Sequence, residues 1–414
     1  MSDLVELTVG GVAAGGGCVA RAPDGRVVFV RHALPGERVR AEVVETTTSF
    51  LRADAREVLS ASPDRVEPPC PAAGPGRCGG CDFQHVTLVR QRLLKADLVR
   101  AQLRRLLGEG SPLLGGLVVE ALSGSADGLG WRSRVGFAVD HGGRLGLRRH
   151  RSHQLELLEA CPLATPEVEA VGAERARWPG ARAVTVAATG VQHVVAVTGR
   201  LREDPDVPAG LQVDGRPVRG PHGLRHEVLG RSFEASAGAF WQVHPAAAQV
   251  LATAVLDALD PQPGDAALDL YAGVGLFAAL LGERVGRAGS VLAVEGDARA
   301  CADAARNTAD QPQTRVRTGA VDAAALHRLA RGPKLDLVVL DPPRAGLGVA
   351  AARALAALRP RRVAYVSCEP STFARDVGQL LGAGWSLPAL RAFDAYPMTE
   401  HVELLGVLEP PPAP

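Results

Sequence analysis

The sequence predicts an α/β protein in three parts: a small N-terminal β-barrel, a central mixed α+β region, and a C-terminal parallel sheet covered by helices on both faces. Three observations carry this. Residues 1–60 hold short alternating runs (LVELTV, RVVFVRH, ERVRAEVVE, ADAREVLS) broken by Gly- and Pro-rich turns such as GGVAAGGG and LPGE, the pattern of strands. From about 117 to 235 the pattern stays mostly strand (LVVEAL, RSRVGFAVD, RLGLRR, AVTVAAT, HVVAVTG). From about 236 onward strands alternate with helices, which calls for a parallel sheet with two helical layers.

Five short strands at the N-terminal spacing fit a barrel of the oligonucleotide-binding (OB) type. The segment that follows, PPCPAAGPGRCGGCDF, is too rich in Pro and Gly for regular structure. Residues 88–108 have helical periodicity, with Leu88, Leu94, Leu98 and Leu103 near one face and arginines around the rest. Those arginines read first as a solvated face and second as an RNA contact. The terminal PPPAP reads as a short frayed end. The expected domains are therefore 1–60, 61–235 and 236–414, with the helix 88–108 free to pack on the last.

At 414 residues, 46% hydrophobic and 22% charged, the chain has the composition of an ordinary globular protein with room for two or three cores. No apolar run reaches the ~18 residues of a membrane span. The start, MSDLVELTVGG, lacks the basic-then-apolar signature of a secretory signal. A cytoplasmic monomer with no obligate protein partner is expected. The net charge of +1 does not by itself mark a nucleic-acid binder. Between Arg90 and Arg151, however, bases outnumber acids roughly two to one. Lysine occurs only at Lys95 and Lys334; the arginine bias fits a GC-rich genome as well as it fits phosphate recognition. Seven cysteines, unevenly spaced, do not make a disulfide scaffold, and a reducing cytosol would keep them as thiols. Cys70, Cys78 and Cys81, with Cys161 in EACPLA, instead look like a metal or iron–sulfur site.

The C-terminal third carries the chemistry. In ALDLYAGVGLFA (267–278), a strand runs through a glycine turn into a helix, and Gly273 and Gly275 let a ligand approach the backbone. The glycines alone pass as a loose dinucleotide fingerprint. Asp269, just before the turn, would repel a pyrophosphate but suit the cationic S-adenosylmethionine. Glu295 ends the next strand, about 20 residues on, where an acid binds ribose hydroxyls. Asp341, in LVVLDPPR, closes a further strand at the sheet's carboxyl edge. Cys368, in RRVAYVSCEP, lies at the end of the following strand, which Pro370 stops. A buried structural cysteine is the plain reading. A thiol at the same edge as Asp341 points instead to nucleophilic catalysis: addition to C6 of a uracil makes C5 enolate-like and able to take a methyl group. The C5 proton then needs a base, for which MTEHVEL offers Glu403, Glu400 and His401.

These residues resemble the RNA uridine-5 methyltransferase family across nearly the whole chain. The N-terminal GGVAAGGG and VVFVRHALPGERVRAEV are similar to its TRAM domain, an RNA-binding barrel. The resemblance implies a Rossmann-like S-adenosylmethionine-binding domain, a [4Fe–4S] cluster on Cys70, Cys78, Cys81 and Cys161, and cofactor contacts from Tyr271, Gly273, Gly275, Glu295 and Asp341. The stretch GAFWQVH resembles the family's Phe-x-Gln-x-Asn, which implies a cofactor and substrate role for Gln242; His244 departs from the usual Asn, as Leu276 does further on. SCEP resembles the nucleophile motif, giving Cys368, and HVE the base motif, giving Glu403 over Glu400. The implied substrate is RNA, with 23S ribosomal RNA favoured over transfer RNA because simpler transfer-RNA members lack the TRAM and cluster parts. Two rivals stand beside it. A base amino-group methyltransferase would use the Asp-Pro-Pro loop, but such enzymes carry an aromatic residue where this chain has Arg344. A zinc-stabilised RNA-binding protein with a dead catalytic domain would not need Cys368 and Glu403.

Overall fold

The computed structural model describes residues 4–190 and 192–412; the last two residues of the expected proline-rich tail lie outside them. The N-terminal part is a five-stranded sheet of Leu4–Thr8, Arg38–Thr46, Phe50–Ser60, Val27–Arg31 and Cys18–Arg21, in that spatial order. Inward residues such as Leu7, Val28, Val30, Val39 and Ala41 fill its core. That one-in, one-out alternation is what the sequence pattern requires.

The catalytic sheet has eight strands, ordered Thr314–Thr318, Ser290–Glu295, Ala266–Leu270, Leu337–Leu340, Arg362–Ser367, Glu403–Glu409, Ser386–Asp394 and Val119–Ala121. The first five are parallel. Leu337–Leu340 is buried at all four positions, as expected of a strand with helices on both faces. Glu403–Glu409 then runs antiparallel to Arg362–Ser367.

Two segments expected in the central mixed sheet lie elsewhere. Val119–Ala121, within LVVEAL, pairs with Ser386–Asp394 at the edge of the catalytic sheet. Leu114, Leu117 and Val119 are buried in the catalytic core, and a period-2 pattern does not say which sheet a strand joins. The hairpin Gly223–Val228 and Arg231–Ser236 stands apart as a two-stranded unit, with Val228, Phe233 and Ala235 in that same domain's core. The central sheet itself keeps seven strands, from Arg134–Val139 to Arg216–Arg219.

The amphipathic helix is Leu88–Leu107, ended by Gly108 at positive φ. Leu94, Leu98 and Leu103 are buried, while Leu88 is half-buried. Ala96, Val99 and Leu103 share a core with Phe373, Val377 and Leu380 of the helix Pro370–Gly382. The helix thus ties the cysteine segment to the catalytic domain. Among the described residues no helix is long and apolar enough to cross a membrane.

Candidate active site

Strand order brings the candidate chemistry together. Asp341 follows Leu337–Leu340, and Cys368 follows Arg362–Ser367; these strands are parallel neighbours, so both residues emerge at one edge. Glu403 opens a strand antiparallel to Arg362–Ser367, with Leu404 opposite Ser367. Its carboxylate therefore starts where the thiol ends. A cavity of about 770 Å³ at this edge is lined by Gln242, Tyr271, Gly273, Glu295, Asp341, Cys368 and Glu403 among others.

Charge in this cavity is crowded. Glu403 is buried; Tyr396 Oη donates to its Oε2 at 3.0 Å, and its Oε1 has no partner among the described residues. Burial, then Asp341, pushes its carboxyl well above the usual range, and the Tyr396 hydroxyl opposes that shift. Burial raises Asp341 to about 7; Gln242 Nε2 donates to its Oδ2 at 3.4 Å. The Cys368 thiol is pushed up to about 12, by burial first and then by Glu403 and Asp341, against the pull of Arg344.

The three candidate bases separate by geometry. Glu400 is absent from the cavity wall; its Oε2 accepts the backbone N–H groups of Gly15 and Gly16 at 2.5 and 2.7 Å, a contact with the barrel. His401 lines the cavity, but Arg344 Nη2 donates to its Nε2 at 2.8 Å. Burial and then Arg344 hold His401 at about 4, so its ring stays neutral with one lone pair engaged. Glu403 alone has a free carboxylate oxygen beside Cys368.

The methyl-donor candidates divide too. Tyr271, Gly273, Glu295, Asp341 and Gln242 line the cavity. Glu295 Oε2 accepts the N–H of Gly273 at 2.9 Å. A Cβ built on Gly273 would meet nothing within 4 Å, which leaves room for a ligand. Tyr271 sits at φ 61°, a strained position at the turn. Asp269 and Gly275 are not on the wall. Asp269 is fully buried, and its Oδ2 accepts the N–H of Ala278, within the first turn of Leu276–Val285. A Cβ on Gly275 would lie 3.1 Å from that of Ala304, so this glycine serves helix packing. Asp269 Oδ1 has no hydrogen-bond partner among the described residues.

Several wall residues carried no sequence signal: Trp131, Arg132, Tyr396 and Thr399. Phe240, 64% exposed, also lies on the wall. His244, where the family pattern has Asn, is buried; it stacks on Trp131 and its Nδ1 accepts the N–H of Ala246. Trp131 in turn meets Tyr396 edge-on.

Cys70, Cys78, Cys81 and Cys161 line one small cavity of about 20 Å³, with Gln84 Nε2 donating to Cys81 Sγ at 3.3 Å. All four are free thiols, and burial pushes Cys81 up to about 12. Among the described residues no three metal-ligating side chains surround a single metal position. The donor set, four sulfurs with no carboxylate or imidazole on the wall, is the chemistry of an iron–sulfur or zinc site. Gly80, Arg132 and Leu163 line both this cavity and the catalytic one.

Parallel sheet, glycine turn and a thiol–carboxylate edge define a methyltransferase of the Rossmann-like class. Comparison with known proteins narrows it. Residues 3–55 match the TRAM domain model and residues 226–409 the tRNA (Uracil-5-)-methyltransferase model. An uncharacterized RNA methyltransferase of Streptomyces coelicolor is 46% identical over 99% of this chain and 93% of its own. The 23S rRNA (uracil(1939)-C(5))-methyltransferase RlmD of Halomonas elongata is 35% identical over 98% of this chain and 89% of its own. The fold matches the tRNA (uracil-54, C5)-methyltransferase of Pyrococcus abyssi, solved with S-adenosyl-L-homocysteine, at a TM-score of 0.70 and 23% identity, covering 99% of this chain and 100% of the other. The chain belongs to the RNA uracil-C5 methyltransferase family.

Proposed function

We propose that the protein methylates C5 of one uridine in 23S ribosomal RNA, with Cys368 as nucleophile, Glu403 as base and S-adenosylmethionine as methyl donor. The observation that carries this is the meeting of Cys368, Glu403 and Asp341 at one sheet edge inside one cavity. The relative acting on 23S rRNA, similar along almost the full chain, supports the choice of RNA.

The residues suit the chemistry. Bound S-adenosylmethionine supplies an electrophilic methyl group and a positive sulfonium. Glu295 and Gly273 offer a place for its ribose, and Gln242 and Asp341 stand near the reacting edge. In the resting site Cys368 is protonated; added positive charge offsets Glu403 and Asp341 and eases its ionisation. Cys368 gives its proton to solvent, the thiolate adds to C6, and the C5=C6 electrons form an enolate with the C4 carbonyl. C5 takes the methyl group as its bond to the donor's sulfur breaks, the electron pair staying on sulfur and S-adenosylhomocysteine being left. Glu403 then removes the C5 proton, the C5=C6 bond re-forms, and Cys368 leaves as thiolate. A stacked base cannot meet thiol and methyl donor together, so the uridine must be flipped out of its RNA.

The same reading puts a [4Fe–4S] cluster on Cys70, Cys78, Cys81 and Cys161. Iron ions would supply the positive charge that lets these buried thiols ionise.

RNA containing 5-fluorouridine tests the mechanism, because fluorine at C5 does not leave as a cation. The wild-type enzyme should form a covalent complex that survives a denaturing gel, and Cys368→Ala should form none. Glu403→Gln should accumulate an already methylated adduct on ordinary RNA. Normal turnover by Glu403→Gln would refute the base assignment. Mass mapping of ribosomal and transfer RNA from cells lacking the gene identifies the substrate; loss of 5-methyluridine from transfer RNA alone would overturn the ribosomal choice.

A further inference from the structure

The chain has 46 basic residues, and all but Lys95 and Lys334 are arginine. Lys334 is exposed, 3.5 Å from Asp336. Lys95 is completely buried. Its Nζ donates to Asp394 Oδ1 at 2.5 Å and to the backbone carbonyl of Tyr396 at 2.9 Å. A site that buries a cation between two such close acceptors suits a compact ammonium and not a planar guanidinium fork. In a chain that otherwise uses arginine, that fit is a reason for this lysine.

The acceptors are the last residue of the strand Ser386–Asp394 and a residue of the segment that joins it to Glu403–Glu409. Tyr396 carries the consequence into the active site, since its hydroxyl donates to Glu403 Oε2. Gln91, one turn earlier on the same helix, accepts the N–H of Met398, which sits at φ 66°. The helix thus grips the base-bearing segment at two points. We propose that Lys95 is a positioning residue for removal of the C5 proton: it fixes the backbone of Tyr396 so that the hydroxyl stays on Glu403. The proposal rests on Glu403 being the base.

The charges around both groups give the sign of the effect. Lys95 faces Asp394, Asp82 and Arg92. Glu403 faces Asp341, Tyr396 and the Cys368 thiol. Burial and Asp341 favour protonated Glu403, and the Tyr396 hydroxyl favours the carboxylate. Loosening Tyr396 therefore raises the pH needed to keep the base ionised. The acid limb of the pH–rate profile moves upward, and elimination slows while adduct formation does not.

Removing Lys95 alone would strand a buried carboxylate, so the principal variant is Lys95→Met with Asp394→Asn. Lys95→Arg, which keeps the charge, carries the test if that pair does not fold. Tyr396→Phe is the reference. Melting temperature, methyl-donor affinity, KM for RNA, the pH profile and the methylated adduct on denaturing gels are measured. The folded variant should match wild type in donor affinity and KM, resolve the adduct about tenfold more slowly, and shift the acid limb upward as Tyr396→Phe does. An unmoved limb with wild-type resolution overturns the proposal, and so does equal slowing of every step. Glu403→Gln separates the two readings. If it traps adduct and the Lys95 variant does not, only the Lys95 role fails; if it turns over normally, the base assignment fails and this role with it.

Discussion

Asp269 and Asp341 are the same side chain near the ends of adjacent parallel strands, and two positions along the register give them different surroundings. Asp269 pairs within the ladder, opposite Val339, and turns under the helix Leu276–Val285 to accept the N–H of Ala278. Asp341 lies one residue past its strand and reaches the cavity. In the sequence both are acids at strand ends, and nothing local distinguishes them; the helix that covers one of them does. Asp269→Asn keeps an acceptor for Ala278 and removes a carboxyl that burial already drives toward its neutral form. Its amide N–H would sit at the unpartnered Oδ1 position, so stability should fall by about 1–3 kcal/mol, while S-adenosylhomocysteine should bind unchanged by calorimetry. Asp341→Asn should weaken that ligand by about tenfold, ~1.4 kcal/mol. Equal losses from both variants would return Asp269 to the binding site.

At the scale of elements, the segment between Asp394 and Glu403 is where the parts of the chain meet. The cysteine loop grips it through the N–H groups of Asp82 and Phe83, both donating to the carbonyl of Met398. The barrel grips it through Glu400, whose carboxylate lies on the successive amides of Gly15 and Gly16, each at positive φ. Such paired amides form a small anion-binding nest. Asp82 accepts the N–H of Glu400 and meets Arg31 of the barrel at 3.4 Å. Glu400 is thus a fastener between domains. Glu400→Gln keeps an acceptor oxygen and should behave nearly as wild type. Glu400→Ala should lower stability by about 1 kcal/mol, from two lost hydrogen bonds to a partly exposed group, seen as earlier release of the barrel in limited proteolysis. Neither variant should trap methylated RNA; a trapped adduct with Glu400→Gln would make Glu400 the base.

For the whole molecule, what was legible in the sequence follows contact range. Strand and helix types, the glycine turn and the Asp-Pro-Pro edge are local patterns, and they point to the Rossmann-like domain and to Cys368. The membership of Val119–Ala121 in the catalytic sheet and the grip of Lys95 on Asp394 are contacts across hundreds of residues that no periodicity encodes, and the Tyr396 hydroxyl on Glu403, though only seven residues away, depends on how that loop is held. The cysteines are the clearest case. Their types suggest a shared site, but only the fold reveals that Asp82, next to Cys81, hydrogen-bonds the catalytic segment. Cys161 comes from the central domain and closes the same cavity. Binding a [4Fe–4S] cluster would therefore brace the loop that braces the base. Protein purified without air should carry about four irons per chain. Removing them, or replacing Cys161 with Ser, should cost ~2 kcal/mol, a fall in melting temperature of about 4 to 8 °C. S-adenosylhomocysteine should still bind, since its pocket is built from the parallel sheet, while resolution of the RNA adduct slows. Stoichiometric zinc in place of iron would overturn the cluster, and an iron-free protein that melts and turns over as before would overturn its bracing role.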